Sequence, residues 1–162
     1  MEKQTIIISP HSRVLRHGKR NPKNYPYWQQ LVNLLQEKGY FIIQIGTTEI
    51  DKNEPPILTD NTLTNLKYKE LLELVNQSYT WISVDNFFHH FCYYYNKPGF
   101  VIFGKSDPLI YGHSINSNIL KNRKYLRQGQ KQYEYWENET YSEECFIEPQ
   151  AVVFLISKLQ KF

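Results

Sequence analysis

The sequence predicts a Rossmann-like α/β fold, three layers deep, with a mainly parallel sheet between two sets of helices. Three observations predict it. Short, continuously apolar runs rich in β-branched residues recur along the chain, and such runs mark strands covered on both faces. Helical patterns of about a dozen residues separate them, the length that a crossover between parallel strands needs. The polar stretches that carry glycine, proline and charge follow the strands, at the end of a parallel sheet where ligands bind.

The first strand is Thr5 to Ser9, three isoleucines closed by Pro10. A polar, basic loop leads to Pro26, which suits the first turn of a helix, and Trp28, Leu31, Val32 and Leu35 recur at helical spacing until Gly39 stops the pattern. Tyr40 to Ile45 gives a second strand, and Gly46, Thr47 and Thr48 give a small-residue turn that lets a ligand approach the backbone. A loop then runs through Pro55 and Pro56. Leu66, Leu71, Leu72 and Val75 place a helix over Lys67 to Gln77, followed by a third strand from Tyr79 to Val84.

Asp85 and Asn86 are good N-cap types, with Phe88, Phe91, Cys92 and Tyr95 on one face of a helix that ends near Asn96. Lys97, Pro98 and Gly99 turn into a fourth strand, Phe100 to Phe103. The loop from Gly104 to His113 follows, then a weak fifth strand around Asn118 to Leu120. The polar stretch 121–144 reads as irregular or inserted. Pro149 then opens an amphipathic helix through Val152, Val153, Leu155, Ile156 and Leu159. The whole chain, residues 1–162, is expected to be one domain, since 162 residues suffice for one core.

A hydrophobic content of 41% with 22% charged residues excludes a disordered chain, and no stretch approaches the ~18 apolar residues of a membrane helix. Only three isoleucines precede Ser9 and Pro10, too few for a signal-peptide core, and Cys92 and Cys145 form no close pair. A reducing, cytoplasmic setting is expected. The net charge of +3 is too small to argue for nucleic acid, which is not an expected partner. Its distribution is uneven: Arg13, Arg16, Lys19, Arg20 and Lys23 fall together with no acid among them, whereas Glu134 to Glu148 is rich in glutamate and lacks Lys and Arg. The basic cluster is a candidate anion site.

The segment SVDNFFHHFCYYYNKPGFVIFGKSDP resembles the glycosyltransferase family that contains the lipopolysaccharide heptosyltransferases. Asp85 and His90 hold the places of its Asp-Thr/Ser-Gly-x-x-His stretch, Lys97 and Pro98 its turn, and Phe103, Gly104, Ser106 and Pro108 its Phe-Gly-Pro-Thr/Ser-x-Pro loop. Upstream, Lys23 to Pro26 with Trp28 resembles its Lys-x-Trp-Pro helix entry, and Gly46 to Glu49 its Gly-x-x-Glu turn. The likeness runs through most of the chain outside 122–144. It implies the C-terminal, nucleotide-sugar-binding half of a GT-B enzyme, whose acceptor and catalytic base belong to the other half, so no catalytic residue is assigned here.

The resemblance implies a nucleoside-diphosphate sugar as ligand, no metal, and a partner in the form of a separate acceptor half or a second copy of the chain. In the first loop it selects Lys23 as diphosphate ligand, with Ser9, Ser12 and Arg13 beside it. After the second strand it selects Gly46, Thr47 and Glu49, the last at the ribose position. Asp85 would accept from sugar hydroxyls next to Asn86, His90 would face the phosphates, and Gly104 and Ser106 would line the fourth loop.

Each has a plainer explanation: a solvated basic loop, helix capping by Asp85, a histidine satisfied locally, a turn opened at Pro108 by Ser106 and Asp107. Phe87 stands where the family has glycine and Lys105 where it has proline, which alters the approach to the donor. His89 and His90 project about 100° apart on a helix and cannot easily share one metal. A stand-alone nucleotide-binding or sequestering module, with no transfer, is the alternative function.

Overall fold

A computed structural model describes residues 2–49, 51–130 and 136–161. Six strands form a single sheet: β1 (Thr5–Ser9), β2 (Phe41–Gly46), β3 (Asn61–Thr64), β4 (Thr80–Val84), β5 (Phe100–Phe103) and β6 (Ser117–Leu120). Their order is β3-β2-β1-β4-β5-β6, and every neighbouring pair is parallel. The chain winds outward from β1 in one direction and then returns to extend the sheet from β4. The loops after β1 and β4 therefore meet at a switch point of the strand order, the place at the strands' carboxyl ends where sheets of this kind bind ligands.

The helices α1 (Trp28–Glu37), α2 (Tyr68–Gln77), α3 (Phe87–Tyr94), α4 (Pro108–Tyr111) and α5 (Pro149–Ser157) cover the sheet. Alternation along β1 sorts them into layers. Ile6 and Ile8 pack with Trp28, Leu31 and Leu35 of α1 and Val152 and Ile156 of α5. Ile7 faces the other way, with Leu71 and Val75 of α2 and Phe88, Phe91 and Cys92 of α3. Both faces of the strand are thus dry, which explains its unbroken isoleucines. Gly39, at φ +91, ends α1 in the left-handed conformation, and its N–H reaches the Gln36 carbonyl at 2.9 Å.

Three departures from expectation have local causes. β3 lies in a stretch expected to be loop: it is a polar edge strand, Asn-Thr-Leu-Thr, paired only with β2, so it shows no apolar run. α4 forms inside the expected loop because the Asp107 carboxylate caps the Leu109 N–H at 3.0 Å and Pro108 suits the first turn. Finally, Asn86 and not Asp85 caps α3, its Oδ1 accepting from the Phe88 N–H at 2.9 Å.

Between 121 and 144 the described residues hold only two 3-10 turns, Arg123–Tyr125 and Trp136–Asn138. The second turn folds back onto the basic loop, where Glu137 meets Arg13 at 3.3 Å. Among the described residues no helix is long and apolar enough to cross a membrane.

Candidate functional site

The switch point gathers the chain's buried polar groups. Ser9, at the end of β1, accepts a hydrogen bond from the Asn86 amide on its Oγ at 3.0 Å, and the same amide reaches the carbonyls of Ser9 and His11, each at 3.2 Å. Asn86 thus ties the first loop to the start of α3 while capping that helix. The Ser12 hydroxyl donates to the Asp85 carbonyl at 2.7 Å, and the Ser12 N–H donates to Asn24 Oδ1 at 2.7 Å. These bonds bend the loop after β1 back toward β4 and bring Lys23 over Asp85.

Asp85 is 4% exposed, and its carboxylate sits between His89 and Lys23, with Oδ2 paired to Lys23 by charge rather than by a well-formed hydrogen bond. Oδ2 lies 3.1 Å from the Lys23 ammonium and Oδ1 lies 3.1 Å from His89 Nε2. Burial pushes the Asp85 pKa up, but the hydrogen bond from His89 and the Lys23 charge outweigh it and hold the group at about 2. The Lys23 side chain is 20% exposed. The Trp136 and Tyr111 rings stand 4.9 and 5.9 Å from its nitrogen. An ammonium has three N–H donors, so the contact with Asp85 leaves capacity for an anion.

A histidine cluster adjoins this pair. His90 Nδ1 is 2.7 Å from His113 Nε2, and the His89 and His90 ring centroids are 3.9 Å apart. Desolvation, reinforced by the charges of His89 and His113, holds His90 at about pKa 4, and His113 is shifted the same way by desolvation and His89. The Tyr93 ring stacks on His113 at 3.9 Å, while the His113 carbonyl accepts from Asn116 N–H and Asn118 Nδ2 at 3.0 Å each. Sequence spacing singled out only the adjacent pair. His113 joins them because β4 and β5 are neighbours in the sheet, a relation that no local pattern records.

The other expected positions separate into two groups. Gly46, Thr47 and Glu49 are exposed after β2, on the far side of β1 from Asp85. Ile50, next in that loop, lies outside the described residues. Gly104 is buried at the end of β5: a Cβ there would stand 2.6 Å from the Phe146 ring and 2.9 Å from Cys145 Sγ, so packing alone requires glycine. Ser106 is buried beside it, and Asp107 caps α4 and takes a bidentate contact from Arg123 at 2.7 and 3.0 Å. Lys105 reaches Glu139 at 2.8 Å. Phe87 turns toward α2, where its ring stacks on Tyr68 at 5.9 Å.

The basic cluster is internally compensated. Arg13 meets Glu137 and is 60% exposed, while Arg20 makes a bidentate contact with Glu54 at 2.9 and 3.0 Å. Of these three, Lys23 alone pairs with the loop after β4, through Asp85. Glu137 falls within the glutamate-rich stretch noted in the sequence; Glu134, where that stretch begins, lies outside the described residues.

No family model and no curated protein matches the sequence. Solved structures do. The chain aligns with E. coli ADP-heptose lipopolysaccharide heptosyltransferase II at TM-score 0.64 and 16% identity, over 99% of this chain and 48% of that one. It aligns with E. coli heptosyltransferase WaaC bound to ADP at TM-score 0.64 and 14% identity, over 96% and 44%. With TibC, a dodecameric iron-containing heptosyltransferase of E. coli in complex with ADP-D-β-D-heptose, the TM-score is 0.69 at 15% identity, over 99% and 46%. The chain therefore has the fold of about half of a heptosyltransferase and spans less than half the length of these enzymes.

Proposed function

We propose that this chain is a glycosyltransferase-like domain that binds a nucleoside-diphosphate sugar at the carboxyl ends of β1 and β4, and that it transfers the sugar only together with an acceptor-binding half. One observation supports this above the others: Lys23 and Asp85, from loops far apart in sequence, converge to 3.1 Å at the switch point of a heptosyltransferase-like sheet. Lys23 would meet the diphosphate with its remaining N–H donors, and the buried carboxylate keeps that ammonium in place. The Ser12 hydroxyl has its proton on the Asp85 carbonyl, so toward a ligand it can only accept. Asp85 acts in this scheme by holding Lys23 and His89, because its carboxylate is buried behind them. The free, buried Cys92 and Cys145 are in keeping with a reducing cytoplasm.

A module that holds a nucleotide without transferring anything is the second reading. It is favoured by the pairing of Arg13 and Arg20 with Glu137 and Glu54, which leaves less positive charge for a diphosphate than the sequence suggests. Titration calorimetry and thermal shift with ADP-, UDP- and GDP-sugars test the shared premise. A matching ligand at 100 times its Kd adds ~2.7 kcal/mol to stability, and Lys23→Ala should remove most of that gain. The proposal falls if no nucleoside diphosphate or nucleotide sugar shifts the midpoint at millimolar concentration. Transfer on addition of an acceptor half separates the first reading from the second.

A further inference from the structure

Among the described residues, one ring nitrogen from each of His89, His90 and His113 lies within 4.8 Å of the other two. We propose that these three histidines form a binding site for a divalent transition metal of the Zn2+ class, with Asp85 as the carboxylate that orients His89. The geometry supplies the parts such a site requires. Imidazole is a favoured ligand for Zn, Cu, Fe and Ni, and three protein ligands with a fourth position left open are the usual arrangement where the metal meets a small ligand.

His89 carries the argument. Its ring is fully buried, and Nε2 contacts the Asp85 carboxylate, which can only accept, so Nε2 carries a proton, and a ring that holds only this one keeps its lone pair on Nδ1. Nδ1 is itself buried and has no hydrogen-bond partner among the described residues. A buried acceptor without a donor is a costly feature, removed by a bound cation. Carboxylate, histidine and metal in line is also how metal-bound imidazoles are generally fixed.

The other two ligands come from separate elements. His90 follows His89 on α3, yet their ring centroids lie 3.9 Å apart, and His113 approaches both from the loop after α4, its ring centroid 5.4 Å from His89 and 4.9 Å from His90. That closeness answers the objection that two adjacent histidines cannot easily share one ion. The His90 and His113 nitrogens, now 2.7 Å apart, would part to the ~3.3 Å that tetrahedral ligands at 2.0–2.1 Å require. His90 is exposed and can move, whereas Tyr93 and the backbone bonds of His113 hold the third ring.

The test uses the full chain without a histidine tag, stripped with chelator and titrated with Zn2+ by calorimetry and with Co2+ by visible absorption. No nucleotide is present, so the outcome is independent of the sugar-nucleotide proposal. The expected result is one Zn2+ per chain and the intense d–d bands of four-coordinate Co2+. His90→Ala and His113→Ala should each weaken binding at least ~10-fold, the loss that even an outer partner's removal causes. Both positions lie outside the core, and circular dichroism verifies their folding. Zn2+ binding that is equally tight in the double variant, or no uptake by the wild-type chain at micromolar metal, would overturn the site.

Discussion

The loops after β2 and β4 leave the same edge of one sheet, from strands that both pair with β1, yet they handle polar residues in opposite ways. After β4, Asp85, Asn86 and His89 are drawn against the sheet and tied to Ser9, Ser12 and Lys23 of the first loop. After β2, Gly46, Thr47 and Glu49 stand in solvent. The sheet order supplies the reason. Between β1 and β4 the winding reverses and the two loops pack against each other, so polar groups there are desolvated and must find partners. Beside β2 the next strand is β3, a short polar edge, and the loop touches Asn65 after β3 at Gly46 and Thr48 while its described residues stay exposed.

The largest test of that contrast is Asp85→Ala against Glu49→Ala. Removing Asp85 leaves the mostly buried Lys23 ammonium without its partner and His89 without its acceptor, a change expected to cost ~3–5 kcal/mol in urea unfolding. The depressed pKa, about 2 against 3.8, agrees with this scale, since each unit corresponds to ~1.4 kcal/mol. The sign with pH follows: below about 4 the unfolded chain takes up the proton first, so this contribution, present at neutral pH, is lost as pH falls from about 4 toward 2. Equal losses for the two variants would erase the distinction between the loops.

How much of this the sequence could reveal depends on whether the signal was local. β1, β2, β4 and β5 were legible because strands dry on both faces must be apolar throughout, and α5 because Pro149 marks its start. β3 was not, because an edge strand needs no apolar run. Within the site, Lys23 and Asp85 could be named singly, but their pairing depends on the strand order. The return of Glu137 and Glu139 onto Arg13 and Lys105 is equally nonlocal, which is why the basic loop looked freer than it is.

Gly104→Ala addresses the neighbouring loop after β5. The added methyl would meet Phe146 at 2.6 Å and force the ring aside, at an expected ~1–3 kcal/mol. Nucleotide binding should survive if this glycine serves packing. A variant of full stability that no longer binds nucleotide would instead move the ligand's backbone contact to β5.

A smaller effect is expected in mild acid. His90 stays neutral in the folded chain down to about 4, against an ordinary 6.5, so the unfolded chain binds its proton first and stability falls as pH drops from 6.5 toward 4. His90→Gln should reduce the slope in that range, His113 and His11 supplying the remainder, and leave the drop between about 4 and 2 intact, because Asp85 is untouched. A slope unchanged between 6.5 and 4 would assign the acid sensitivity elsewhere and weaken the picture of a packed histidine cluster.

The smallest stability effects belong to the loop after β2. Thr47→Ala and Glu49→Gln remove exposed groups and should alter unfolding free energy by no more than ~0.5 kcal/mol. Their effect on ligand affinity is the sharper measurement. If Glu49 accepts from a ribose hydroxyl, as the family resemblance implies, Glu49→Gln loses about one net hydrogen bond, roughly tenfold in Kd at most. If affinity is unchanged while Lys23→Ala abolishes binding, the ligand is confined to the switch point between β1 and β4. Exposure after β2 would then mean that the loop has no polar ligand to hold, and the likeness of Gly46 to Glu49 to the family's turn would reflect only the small residues that a strand needs to end there.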